Sequence, residues 1–410
     1  MSTPSARRSE PVVIAFLAFL GMLMATGIDI SLPAFDEIDA DLDAGGREAL
    51  IVTFFLLGTA FGQLIVGPLS DMLGRRPVLL GGLTLYVIGG AAAALAGSYE
   101  MLLAARFVWG LGAAAPTGNR TAIARDLYSG DAMARVTTIM MAVFLIGPVF
   151  TPLIGQGLLN IADWPVVFWF CAALGILALV ATAWFGETLP PERRRPLQVR
   201  EFGLALRRIA RTRVTLGHVI ANVFWSAAFF IFLQSSAPVF DRVFDREDDF
   251  AFYFAALGLW TIPLLLTNNR LIDRLGARRT SLGTAAISIT ACALGTILVL
   301  VDDTPGFWPW YVWLAFAASF ITLTSPPMVA LALDPMGDLA GTVSSLLFFT
   351  GFAFGSAMAA FVDVFIDDTV TPFVIGFSIY AAIGFAFQVW AGSPEVDPAE
   401  TDDQAAVPAG

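Results

Sequence analysis

Between Gly62 and Leu80 the chain reads GQLIVGPLSDMLGRRPVLL. An apolar helix runs into Gly-Pro, a lone Asp71, a turn glycine at Gly74 and two arginines, then becomes apolar again. Such a stretch is a short charged hairpin between two hydrophobic spans. About two hundred residues later a weaker copy follows, in which Asp71-Met72-Leu73-Gly74-Arg75-Arg76 becomes Asp273-Arg274-Leu275-Gly276-Ala277-Arg278. Membrane spans whose second half repeats the punctuation of the first point to a transporter assembled from two related halves.

Composition agrees with a membrane location. Of 410 residues, 57% are hydrophobic and 14% charged, with a mean hydropathy of +0.75. Soluble domains carry about a quarter charged residues, and a core of this length could not hide so much apolar surface, so much of it must face lipid. The opening MSTPSARRSE leads into a span longer than a signal-peptide core, without a small-residue cleavage pattern, so a retained first helix is expected. Cys171 and Cys292 lie in separate apolar spans, which gives neither a disulfide framework nor a metal site. The net charge of −11 resides in loops and the tail, notably Phe35 to Asp43 and the stretch after Glu395. All 23 basic residues are arginine, which reads as codon bias or adaptation to a salty medium.

A hydrocarbon core of about 30 Å needs about 20 apolar residues per helix. Windows of that length predict twelve spans, at 11–33, 49–69, 78–97, 101–121, 135–158, 165–186, 214–238, 249–268, 281–301, 309–332, 341–363 and 371–392. Arginines 7, 8, 75, 76 and 125, and those in 193–213 and 270–279, fall on the side of the N-terminus, against Arg47, Arg242 and Arg246 on the other. Positive charge marks the cytoplasmic side, so both termini are expected there. The expected organisation is an N-terminal segment 1–10, a six-helix bundle 11–186, a linker 187–213, a second bundle 214–392 and a tail 393–410. In the linker, Val199, Phe202, Leu206 and Ile209 recur at helical spacing while Arg200, Arg207, Arg208 and Arg211 take the other faces, which predicts an amphipathic helix on the inner membrane surface, tethering the two bundles.

Several residues inside the spans carry chemistry. A carboxylate in a span costs roughly 2.5–3.5 kcal/mol on insertion scales, which makes Asp29 the first candidate for a proton carrier; the alternative is a carboxylate that meets interfacial water or caps a kink at Pro33. Arg106 should lie at similar depth in the fourth span, either tuning the proton affinity of Asp29 directly or through water, or snorkelling to the interface. Arg120, nearer the other end of that span, reads as a snorkelling or loop-anchoring residue. Gly147, Pro148, Pro152 and Gly155 remove bulk and hydrogen-bond donors from the fifth span, so it can bend and approach a partner closely. In the seventh span Asn222, Trp225, Phe229, Phe230, Gln234 and Ser235 combine aromatic faces with a few polar groups and are candidate cavity residues, or simply packing. His218, the only histidine, reads as structural. No P-loop is present, so the driving force should be an ion gradient, proton or sodium, and no cofactor is expected. An H-E-x-x-H motif is absent, as is a convincing Ser/His/Asp set, so no enzyme is expected.

These segments together resemble the major facilitator superfamily, and within it the twelve-helix drug:proton antiporters of the bicyclomycin/chloramphenicol-resistance (Bcr/CflA) type. The resemblance rests on GIDISLPAF with Asp29 and Pro33, GPLSDMLGRR with Gly67, Asp71, Gly74, Arg75 and Arg76, ARFVWGLGAA with Arg106, the run GNRTAIARDLYSGDAMARV into LIGPVFTPLIGQ, and FGETL. It implies an all-α fold of two six-helix halves related by a pseudo-two-fold axis, in the bacterial inner membrane. It also implies exchange of protons for a small amphipathic molecule, one chain working alone, and no nucleic-acid partner. It implies further that Asp71 caps or contacts the start of the eleventh span near Gly341 and Thr342 as a cytoplasmic latch, and that the fifth span packs between the halves, the mark of an exporter. Trp109 departs from the family's frequent glutamine, and Gly21 and Met22 stand where some multidrug members carry a second carboxylate. The open alternative is a specific metabolite transporter on the same fold.

Overall fold

The structure, a computed structural model, describes residues 9–194 and 199–392; the expected tail therefore lies outside the described residues. Within lipid, every backbone polar group must find its partner inside the chain, and the described residues are accordingly helical, with no strand among them. Twelve helices of 20 residues or more follow one another: α1 Glu10–Asp29, α2 Ala49–Leu73, α3 Arg75–Ala94, α4 Tyr99–Leu127, α5 Gly130–Leu159, α6 Pro165–Phe185, α7 Arg213–Arg242, α8 Phe250–Leu275, α9 Ala277–Val301, α10 Phe307–Leu333, α11 Ala340–Asp363 and α12 Thr371–Ala391. Ten candidate spans by length and apolarity include all of these but α4 and α5. The α4 helix breaks its apolar run with Arg106, Arg120 and Arg125, and α5 contributes the shorter apolar stretch Val149–Leu159.

Several helices outrun their apolar windows by a turn or more. The first span does the opposite. It ends at Asp29, and Leu32–Ala34 form a 3-10 turn at Pro33, where the missing N–H and fixed φ disfavour continuation. The acidic segment expected as loop is then a short helix, Phe35–Leu42, to which Trp164 is tied through Glu37 and Asp41.

Helices α1–α6 pack among themselves, as do α7–α12, and the two most extensive contacts between the sets are α2 with α11 and α5 with α8. Adding six to each helix number converts one contact into the other, as a two-fold relation between the halves requires. The repeated hairpins obey the same relation, since Gly74 (φ 107°) and Gly276 (φ 81°) both take backbone angles that side chains rarely tolerate. In the N-terminal half, α2 and α4 meet at Gly58 and Gly110, each lying on the other helix's backbone, so that any larger residue would drive them apart.

The linker helix, Val199–Arg211, differs from expectation. Leu206 is exposed, whereas Ala205 and Ile209 are buried against Met336, Val343 and Leu347. The side chains of Val199, Arg200 and Phe202 lie outside the described residues. The contact stripe thus keeps Ile209 but takes Ala205 in place of Leu206, and the helix docks on the second half, with Arg208 donating to the Pro335 carbonyl.

Candidate functional site

The arginine-rich side of the molecule holds the charged hairpin. Arg75 is central: its Nη1 lies 2.5 Å from Asp71 Oδ1 and its Nε 2.9 Å from Asp126 Oδ2, at the end of α4. The Glu187 carboxylate accepts from the backbone N–H groups of both Arg75 and Arg76 at 2.9 and 3.2 Å, capping the start of α3. The first turn of α11 has no side-chain cap. Of the expected cap or contact near Gly341 and Thr342, the cap is absent, and the Asp71 carboxylate pairs with an arginine one helical turn away. Gly67 faces α11, where an added side chain would meet Ser345. The copy around Gly276 keeps the turn but has no ion pair at Asp273 among the described residues.

Deeper in the N-terminal half, Asp29 closes α1 and is 2% exposed, with its Oδ1 lacking a hydrogen-bond partner among the described residues. Arg106 is fully buried and does not snorkel. Its Nη1 donates to the Gly27 carbonyl at 2.8 Å and its Nε to the Ile51 carbonyl at 2.9 Å. The guanidinium carbon lies 4.7 Å from the Phe55 ring centroid and 4.9 Å from that of Trp109. Trp109 thus supplies an aromatic wall where the family often has an amide, and cation–π attraction shares in holding the charge. Asp29 and Arg106 form no ion pair; Arg106 touches α1 through the backbone, two residues before Asp29.

Helix α5 meets two partners. Gly147 faces Ala25 and Gly155 faces the Ile30 carbonyl, both on the α1 side, and Pro152 is buried. The Pro148 side chain lies outside the described residues. Contact across the halves is made instead by Val149 against Gly258 of α8. The two glycines thus admit α1, while the helix they belong to also packs against α8 of the other half.

A cavity of about 350 Å³ opens between the halves. Asn222, Trp225 and Phe229 line it, with Phe352 from α11, Ser325 from α10, and Arg120 and Thr121 from α4. Gln234 does not: its Oε1 accepts from Thr53 Oγ1 at 2.9 Å, nearer the opposite side, which corrects its assignment to the cavity. Trp225 is fixed by its Nε1 bond to Gln388 at 3.0 Å. Arg120 is a second correction. Rather than snorkelling or anchoring a loop, it lies in the cavity wall against Gly21 of α1, where any side chain would collide with its guanidinium. A glycine facing an arginine across two spans leaves no mark in the sequence.

On the opposite side the halves are bonded together. Arg242, ending α7, meets Glu48, just before α2, at 2.6 Å and also donates to the Ile366 carbonyl. Burial raises the Glu48 carboxyl above its usual range, and the neighbouring Arg242 offsets only part of that. Asp36 from one half comes close to Asp241 and Glu247 of the other. Thr53–Gln234 adds a bond across the same seam. The sequence specifies none of these pairs; Arg242 is one of three arginines on this acidic side, with Arg47 and Arg246.

Comparisons with known proteins converge on one lineage. Residues 16–360 match the family model described as Major Facilitator Superfamily. A bicyclomycin resistance protein homolog of Haemophilus influenzae is 31% identical over 373 residues, 89% of this chain and 92% of that one. A chloramphenicol resistance protein of Pseudomonas aeruginosa is 27% identical over 383 residues, 90% of this chain and 88% of that one. Among solved structures, a D-xylose-proton symporter superposes with a TM-score of 0.73 at 15% identity, covering 94% of this chain and 98% of that one, a likeness of fold.

Proposed function

The chain belongs to the major facilitator superfamily, and from that membership we propose a proton-coupled exporter of small amphipathic molecules, drugs or compounds like them. The observation that carries this reading is a cavity between two pseudo-symmetric halves that are bonded shut on one side by Glu48–Arg242 and Thr53–Gln234. A site reached from one side at a time is what alternating access requires. The resistance proteins among the relatives support export of drug-like cargo.

In this account the arginine-rich side is cytoplasmic, in a bacterial inner membrane, and one chain works alone. The Asp29 carboxylate is the proton carrier. A carboxylate without a partner is neutral when dry and ionises when water reaches it, so a change of hydration loads and unloads one proton. Arg106, locked to the backbones of α1 and α2, is a positioning residue that senses movement of α1. The Arg75 network holds the ends of α2, α3, α4 and α6 together as one body, so that the half moves as a unit. The linker helix tethers that body to the second half.

The test is transport by the reconstituted protein under an imposed pH difference, using a drug panel that includes chloramphenicol. Accumulation should follow the gradient and vanish with a protonophore. Accumulation indifferent to both would refute the proposal.

A further inference from the structure

We propose that the central cavity selects an uncharged aromatic cargo carrying a hydrogen-bond donor, an alcohol or N–H, which the Asn222 oxygen accepts. The proposal rests on reading this cavity as the cargo site. Asn222 lines the space from α7, and its Nδ2 donates to the Leu347 carbonyl of α11 at 3.0 Å. A carbonyl can only accept, so the nitrogen edge of the amide is the one turned to α11. A side chain added at Gly351 of that helix would collide with the same nitrogen. The other edge, Oδ1, has no partner among the described residues and is not sealed within the protein. The cavity therefore meets an amide oxygen, which accepts and does not donate.

Two neighbours in the second half commit their protons in the same way. The Thr322 hydroxyl, on α10, donates to the Ala318 carbonyl at 2.9 Å, which leaves its lone pairs to the cavity. The Trp225 N–H is held by Gln388 at 3.0 Å, so its ring offers an apolar face. The hydroxyls of Ser226 and Ser325 can turn either way and set no preference. This wall thus asks the cargo for a donor, while Trp225, Phe229 and Phe352 ask it for a ring. A cargo with acceptors alone leaves the Asn222 oxygen dry and unpaired, and that loss is what discriminates. An ammonium also donates, but no carboxylate among the described lining residues offsets its buried charge. About 350 Å³ suits one or two fused rings with a short substituent.

The experiment uses the full chain in lipid nanodiscs and three probes that share one ring: 2-naphthylmethanol, its methyl ether, and 2-naphthylmethylammonium. Affinities are measured by calorimetry at pH 7.5 against empty nanodiscs. The alcohol should bind about fivefold tighter than the ether, the size of one net hydrogen bond, and the ammonium weakest. Asn222→Leu should bring the alcohol to the ether's affinity, and Asn222→Gln, which displaces the amide by one methylene, should reduce the alcohol's advantage. Phe229→Ala should weaken alcohol and ether alike. Suppose Phe229→Ala weakens both, but the alcohol has no advantage over the ether, or keeps it undiminished in whichever Asn222 variant is monodisperse. The donor proposal then falls and the cargo-site reading stands, and an ammonium binding as tightly as the alcohol has the same consequence. If none of the probes binds, or neither Phe229→Ala nor the Asn222 variants change binding, the cargo-site reading falls and the proposal with it.

Discussion

Arg242 and Glu48 lie 194 positions apart in the chain and 2.6 Å apart in space, one from each half, with Glu48 almost wholly buried. In the proposed cycle, opening the molecule on this side must break this pair. Removing one partner of a buried pair strands the other, at a cost of roughly 3–5 kcal/mol. Arg242→Ala is therefore expected to shift the resting population toward the outward-open form. Spin labels on exposed Glu100 and Asp368, one on each half, should move apart by double electron–electron resonance; an unchanged distance distribution would deny the pair a gating role.

Acidity should act on the same seam. The Glu48 carboxyl is raised in the closed form by burial, and returns toward the ordinary glutamate range once the halves part into water. A group raised in one state favours that state fully below its ordinary value, and the advantage is lost as pH rises through the raised value. Closure should thus weaken as external pH climbs through this window, and Glu48→Gln should flatten the response. A label distance that shortens with rising pH would have the wrong sign.

The hairpin offers a graded pair of substitutions. Arg75 is buried and serves Asp71, Asp126 and Ser70, so Arg75→Ala should cost about 2–4 kcal/mol, read as a fall in thermal unfolding midpoint in detergent. Asp71 is half-exposed, with one arginine as its recorded partner, so Asp71→Asn should cost under about 1 kcal/mol. Equal losses would mean that Asp71 has a partner beyond Arg75, as the family resemblance had implied.

The contrast between these two residues shows what a sequence can disclose. Apolar length alone marks ten of the twelve helices, because lipid thickness acts on each span separately, whereas α4 and α5 are interrupted by charge or shorter in their apolar run. Turn glycines and the repeated hairpin revealed the two halves, because backbone constraints are local. Asp29 and Arg106 stood out by the cost of their charge in a span. What stayed hidden is side-chain pairing: Asp71 turning to Arg75, Arg120 entering the cavity opposite Gly21, and Gln234 bonding Thr53. Which of several neighbours a side chain meets depends on helix rotation, and no single-chain pattern specifies it. The linker helix illustrates the scale of the problem, since its contact face takes Ala205 in place of Leu206, one position away.

Trp109 gives a test of the Arg106 cage. Its ring meets Phe55, Tyr86 and Phe168 edge-on, at 5.3 to 5.8 Å between centroids, and it is fully buried. Trp109→Ala should destabilise the N-terminal half by about 3–5 kcal/mol. Trp109→Gln, which restores the family's amide, should fold but bind Arg106 differently, so its proton-driven transport should shift in pH optimum. An unshifted profile would confine Trp109 to packing.

The central claim is that one buried acid, Asp29, couples proton entry to cargo exit. Asp29→Asn proteoliposomes separate the two halves of that claim when labelled cargo is followed both in counterflow, with no gradient, and in net uptake against a concentration difference driven by pH. The account predicts that the variant keeps counterflow near the wild-type rate and loses gradient-driven accumulation. Accumulation by Asp29→Asn equal to wild type across the pH range would contradict it.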